Sequence, residues 1–176
     1  MASRGFIELL RLADLAEARQ SGRYGGKQAQ WLGVVFEVAG QRLVAPMGEV
    51  SEVLSMPDLT TVPLTKPWLL GVANVRGRLL PLTDLAKFLA LPSRQVRQSL
   101  RKVLVIDQPD FYSGLLVDAV LGIQQFTNSQ YEATALPSDS PFVRYNHGKF
   151  VKDGEDWFVF MPSLLAQDQR YIDAAI

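Results

Sequence analysis

The sequence predicts a mainly β protein assembled as an internal pseudo-repeat of two small β-barrels. Three observations carry this. From Trp31 onward apolar residues recur with period two, short strands alternate with glycine, proline and Asx turns at even spacing, and the same succession of segments runs twice. A chain of 176 residues with 48% apolar content can bury a sizeable core as one domain or as two small subdomains sharing one.

Taken in order, residues 5–20 place Phe6, Leu9, Leu10, Ala13 and Ala16 on one face at helical spacing, which predicts an amphipathic helix. SGRYGGKQAQ (21–30) has glycines and no apolar periodicity and reads as a flexible linker. Leu32, Val34, Phe36 and Val38 then alternate with Gly33, Val35 and Glu37, predicting a strand with one deeply buried face. Ala39–Gln41 turns it and Arg42–Pro46 returns. A bend at Gly48–Val50 leads to a strand at Ser51–Ser55, and Pro57, Pro63 and Pro67 mark a loop. Val72–Val75 and Arg78–Leu82 form a hairpin whose two-residue turn, Arg76-Gly77, needs positive φ at glycine. Thr83 or Asp84 caps a short helix carrying Leu85, Phe88 and Leu89.

After a polar connector (91–101) with Arg94, Arg97 and Arg101, the programme repeats. Val103–Asp107, Tyr112–Asp118 and Val120–Gln124 are expected as strands, and 127–141 as a Ser/Thr/Asn/Pro loop. Gly148–Lys152 and Asp156–Met161 pair through an Asp153-Gly154 turn, and Pro162 starts a short helix with Leu164 and Leu165. EVSEVL (49–54) echoes VDAVLGI (117–123).

Composition narrows the chemistry. The chain has no cysteine, which removes disulfides, thiol catalysis and Cys-based zinc sites. Its single histidine, His147, has no clustered ligand partners in sequence and reads as a loop residue beside a glycine. Formal charge is +0, so no uniform basic face for nucleic acid is expected. No apolar run reaches the ~18 residues of a membrane span. The N-terminus, interrupted by Glu8, Arg11 and Asp14, does not read as a signal peptide. The expected compartment is the cytoplasm. No G-x-S-x-G or phosphate-loop setting occurs, and no cofactor or metal site is read from the residues.

Three readings stay open on residues alone. Protein recognition is favoured by Arg76, one cation displayed on a rigid apolar hairpin, although it could equally serve as a solvated residue keeping the edge soluble. A small-barrel binder of single-stranded nucleic acid would use the Arg94, Arg97, Arg101 and Lys102 run, but no aromatic interleaves it. A carboxylate hydrolase would need two of Asp84, Asp107 and Asp118 brought together in a cleft, and each has a sufficient structural role as a cap or turn residue.

A resemblance ranks these. GVANVRGRLLPLTDL (71–85) is similar to the G-V-x-N-x-R-G-x-x-x-P-x-x-D-L signature of CheW-type chemotaxis coupling proteins, at Gly71, Val72, Asn74, Arg76, Gly77, Pro81, Asp84 and Leu85. VFEVAGQRLVAPMGEVSEVL (35–54) resembles the family's first strands and GLLVDAVLGI (114–123) its G-x-x-V-D-x-V region. The wording of 44–54 and the extra N-terminal helix look closest to the PilI-type subgroup of systems controlling type IV pili and twitching motility.

The resemblance implies two SH3-like five-stranded subdomains around a shared core and no enzyme activity. It implies an N-terminal segment 1–30, a CheW-like domain 31–168 divided near 31–95 and 96–168, and a tail 169–176. It implies an adaptor between a chemoreceptor's cytoplasmic tip and the regulatory domain of a CheA-type histidine kinase, recruited to membrane receptor arrays without membrane insertion or nucleic acid. Receptor contact, mapped by motif, would fall on Val50, Glu52, Arg76, Val103, Val120 and Ile123, with Asn74, Gly77 and Asp84 shaping the signature. Kinase contact would use exposed apolar ends of the barrels. Two segments depart from the family pattern: the loop 127–141, and Met161-Pro162, which replaces the usual cap of the last helix.

Overall fold

The structure, a computed structural model, describes residues 30–92, 94–134 and 136–175. The amphipathic segment 5–20 and the linker up to residue 29 lie outside the described residues. The first half of the sequence contributes β1 (Gln30–Val38), β2 (Gln41–Pro46), β3 (Glu52–Ser55), β4 (Leu69–Val75) and β5 (Arg78–Asp84). The second contributes β6 (Lys102–Gln108), β7 (Phe111–Val117), β8 (Ala119–Thr127), β9 (Tyr131–Glu132), β10 (Asn146–Lys152) and β11 (Glu155–Phe160). The mainly β expectation holds, and the one strand not foreseen is β9, inside the loop 127–141.

The strands form a six-stranded sheet, β8-β1-β2-β11-β10-β9, and a five-stranded sheet, β3-β6-β7-β5-β4. Neither sheet corresponds to one half of the sequence. Each starts from the first hairpin of one half, β1–β2 or β6–β7. On one side that hairpin pairs antiparallel with the third strand of the other half, β8 or β3. On the other side it pairs in parallel with the last strand of the other half, β11 or β5. The repeat is therefore present in element order, while the halves exchange strands. A division near residue 95 separates repeats in the chain but not sheets in space. Period-two patterning reports strand and face and carries no information about which neighbour a strand chooses.

This exchange creates three cores. A shared one lies between the sheets, with Val34, Phe36, Val38, Leu43 and Val50 meeting Leu104, Ile106, Leu115 and Val117. The six-stranded sheet has its own on the other face, with Val35, Val44, Phe126, Phe150 and Trp157. The five-stranded sheet has Leu80, Leu82, Val103, Val105 and Leu116. Because β1 is flanked on both sides and covered on both faces, Val35 is as buried as Val34 and Phe36. The expectation of a single deeply buried face is corrected accordingly, and Leu32, assigned to that face, emerges at the sheet's end half exposed.

The helices are short, and their caps come from different places. Asp84, not Thr83, caps Leu85–Phe88: its carboxylate accepts from the Lys87 N–H at 3.2 Å and pairs with Arg101 at 3.2 Å. Thr83 is instead bonded to the Tyr171 hydroxyl at 3.0 Å. The second short helix, Pro162–Gln167, takes no bond from the side chain at its cap position, Met161. Glu49, from the other repeat, supplies it. Its carboxylate accepts from the Ser163 N–H at 2.9 Å and the Ser163 hydroxyl at 2.8 Å. The expected tail is packed rather than free. Tyr171 stacks on Trp68 with ring centroids 5.5 Å apart, and the Lys66 N–H donates to the Ala174 carbonyl at 2.8 Å.

Candidate partner-binding groove

The Asn74–Gly77 turn is built by its sequence. Arg76 and Gly77 both take left-handed φ, 52° and 80°, the pair required by a turn that follows the twist of its strands. The Asn74 side-chain oxygen accepts the Gly77 N–H at 2.9 Å and holds the turn closed. A non-glycine residue at positive φ costs of order 1 kcal/mol, so Arg76 is retained there against backbone preference. Its guanidinium donates to Glu52 Oε2 at 2.7 Å, while 77% of its side chain stays exposed. Glu52 stands on β3 and Arg76 at the tip of β4–β5, at opposite edges of the five-stranded sheet. Their contact requires that sheet to curl until its edges meet.

Just ahead of Glu52, Val50 is buried in the shared core, and Val120 on β8 packs half-buried against the same core. Register places the rest. Val120 pairs with Phe36 and Ile123 with Val34, so both β8 side chains share the face of β1 that looks into the space between the sheets. Ile123 is 57% exposed there. Leu32 continues that face of β1 and is 44% exposed. Met47, whose N–H donates to the Leu32 carbonyl at 3.1 Å, is 42% exposed. Val50 and Val120 therefore meet at the shared core, Ile123, Leu32 and Met47 are exposed along the same face, and the Glu52–Arg76 pair stands two residues beyond Val50. Leu32 and Met47 were not singled out in sequence. Only the β1–β8 register, which sets where the sheet ends, exposes them.

Of the six residues mapped by motif, Glu52 and Arg76 meet in an ion pair, Val50 and Val120 pack at the shared core, and Ile123 is exposed on β8. Val103 is a correction: at 0% exposure it sits in the core of the five-stranded sheet and offers no surface to a partner. Asn74, Gly77 and Asp84 take the structural places expected of them.

The carboxylates examined for catalysis are committed elsewhere. Asp107 pairs with Arg78 at 2.6 Å, and that hydrogen bond raises the Arg78 pKa, so the guanidinium is firmly protonated. Asp118 accepts the Ala39 N–H at 2.7 Å. Asp84 and Asp118 do line one cavity of about 260 Å³, but Lys87, Arg94 and Arg101 line it with them, and Asp84 is held as a cap and ion-pair partner. Among the described residues no group of three or more His, Cys, Asp or Glu is placed to hold a metal ion. His147 is half-buried, and desolvation lowers its pKa against an opposing pull from Glu49. Burial, then the Asp168 hydrogen bond, pushes the Tyr145 hydroxyl far above its ordinary range. The Arg170 hydrogen bond holds Asp168 well below the carboxylate range. This trio anchors the C-terminal turn.

Residues 32–170, which span both sheets, match the CheW-like domain. The chain belongs to the CheW-like family. Among relatives it is 42% identical over 146 residues to Protein PilI of Pseudomonas aeruginosa, covering 83% of this chain and 81% of that one. It is 33% identical over 119 residues to the chemotaxis protein CheW of Thermotoga maritima, covering 68% and 76%. The fold is that of the scaffolding protein TtCheW from Thermoanaerobacter tengcongensis, with a TM-score of 0.66 at 21% identity over 75% of this chain and 89% of that one. No helix among the described residues is long and apolar enough to cross a membrane.

Proposed function

We propose that this CheW-like protein is a non-enzymatic adaptor that couples a chemoreceptor's cytoplasmic tip to a CheA-type histidine kinase, in a system controlling type IV pili and twitching motility. It works in the cytoplasm and is recruited to receptor arrays. The observation that carries the reading is the displayed Arg76, held by Glu52 two residues beyond Val50, and the groove we propose for the receptor tip has Val50 and Val120 as its apolar floor and opens at Ile123. An apolar helical hairpin fits such a surface. Similarity to PilI and CheW supports the signalling context.

Arg76 both leans on Glu52 and presents its remaining N–H donors to a receptor carboxylate. Its 77% exposure leaves those donors accessible. Exposed Leu79, at the end of the same hairpin, supports kinase contact at the end of the five-stranded sheet. Receptor displacement then reaches the kinase by geometry, and no covalent step is needed.

Titration of a soluble receptor-tip fragment into wild type, Arg76→Ala and Val50→Ala tests this. Both variants are expected to bind more weakly, and unchanged affinity in both, with the fold intact, overturns the groove assignment. Exchanging the charges, Glu52→Arg with Arg76→Glu, rebuilds the internal pair but removes the donors from the tip. It is expected to stay weak. Recovery of wild-type affinity would make Arg76 a brace alone.

A further inference from the structure

The arginine run of the connector 91–101 takes no part in the receptor reading, and the fold divides it. Lys102, which follows it, turns away, its ammonium donating to the Ser55 hydroxyl at 3.1 Å. Arg94 and Arg101 instead line the cavity of about 260 Å³, together with Lys87 of the first short helix. We propose that this cavity binds a small organic carboxylate, its head group on Arg94 and Lys87 and its apolar body against Ala86, Leu91 and Val96. The site stands on the fold alone and does not depend on the receptor reading. Among the described residues neither Arg94 nor Lys87 forms an ion pair, and both are exposed, so their donors are free to receive a ligand. Arg101 gives one N–H to Asp84 at 3.2 Å, and its buried Nε–H meets no acceptor among the described residues. A buried donor in that state calls for a partner, and a ligand oxygen seated beside the guanidinium supplies one.

The charges select a monoanion. Three cations face two carboxylates in the cavity, which leaves an excess of one positive charge. Both carboxylates are already engaged, Asp84 by Arg101 and the Lys87 N–H, and Asp118 by the Ala39 N–H at 2.7 Å. A guanidinium meets a carboxylate through two parallel bonds, so a planar head group suits Arg94. The β1–β2 turn makes room for it: the Arg94 guanidinium lies so close to Gly40 that a Cβ there would collide with it. Ala86, Leu91 and Val96 supply apolar lining for the body of the ligand. A second cavity of about 430 Å³ shares Arg94, Val96 and Asp118 with the first and adds the exposed Leu100, so there is space beyond the head group. No aromatic side chain lines either cavity, which leaves nothing on which a nucleobase would stack.

The test titrates the full chain with sodium acetate, sodium butyrate and sodium phosphate, with chloride holding the ionic strength constant. Chemical shifts of the Ala39, Ala86 and Leu91 amides and of the Arg94 Nε–H are followed in wild type, Arg94→Gln and Lys87→Gln. The expected result is saturable shifts in wild type with both carboxylates, several-fold tighter for butyrate than for acetate, and several-fold weaker binding in each Gln variant. Val96→Ser tests the seat of the body: it is expected to remove the preference for butyrate while acetate binds as before. Shifts that do not saturate, or that are the same in both Gln variants as in wild type, overturn the site. Phosphate binding as tightly as butyrate reduces the cavity to a charge trap and overturns the carboxylate assignment. A butyrate preference that survives Val96→Ser overturns the apolar seat.

Discussion

The two glycine hairpins share a backbone and differ in what they display. Arg76-Gly77 closes β4–β5 with φ of 52° and 80°, and Asp153-Gly154 closes β10–β11 with 53° and 75°. In each hairpin the register shifts along the first strand, just before Gly71 and between Asn146 and Lys149, where Gly148 lies. Both glycines have positive φ, and a Cβ there would sit 2.4 Å from the Thr60 carbonyl oxygen and 2.6 Å from that of Glu132. Above this common frame the side chains part. Arg76 reaches across its sheet to the Glu52 carboxylate, whereas in the second hairpin Lys149 is tied within the hairpin to Asp156 at 2.9 Å and the residue that reaches across is Lys152, to the Gln125 backbone carbonyl on β8 at 2.8 Å. The backbone and a tie across the sheet repeat, and the side chain displayed at the tip, Arg76 against Asp153, does not.

The common frame breaks most severely at its glycines. Gly71→Ala and Gly148→Ala each combine positive φ with a clash against backbone, and each is expected to lower unfolding free energy by about 2–4 kcal/mol in urea titrations. Similar losses at both sites sharpen the equivalence of the hairpins, and a loss at one alone breaks it.

The two caps come next. Asp84→Ala strands the mostly buried Arg101 as well as the helix, for a loss of about 2 kcal/mol, and Glu49→Ala removes only the cap of Pro162–Gln167, for about 1 kcal/mol. Thermal unfolding that ranks them the other way would contradict the assignment of Glu49 as a cap alone.

At the tips, Arg76→Glu is expected to weaken receptor-tip binding about tenfold, ~1.4 kcal/mol, and Asp153→Lys to leave it within about twofold. Equal effects would erase the functional difference between the hairpins.

The smallest effect is in pH. His147 has a folded-state pKa lowered by burial, so the unfolded chain binds the extra proton first. The contribution of His147 to stability is full above its unfolded pKa of ~6.5 and is lost as pH falls through that value toward the folded one. His147→Gln is expected to flatten this part of the acid limb, as read from urea midpoints between pH 5 and 7.

Much of this was legible in the residues. Alternation from Trp31 marked strands, Asn74 to Gly77 marked the turn that displays Arg76, and Asp84 marked its helix. The exchange of strands between halves was not, because β1 reads the same whether its neighbour is β3 or β8. That choice also decided which side chains are exposed. It buried Val103 in the core of the five-stranded sheet and brought Ile123 and Leu32 to one face. The Glu49 cap was hidden for the same reason: Glu49 and Ser163 lie 114 positions apart and meet only once the repeats interlock.

The central claim is that the Arg76 hairpin and the Val50–Val120 floor form the receptor site. Calorimetric titration of a soluble receptor-tip fragment into wild type and Arg76→Glu, with the circular dichroism of the two compared, tests it most directly. The account expects matching spectra and about tenfold weaker binding for the variant. Matching spectra with equal affinity would contradict it.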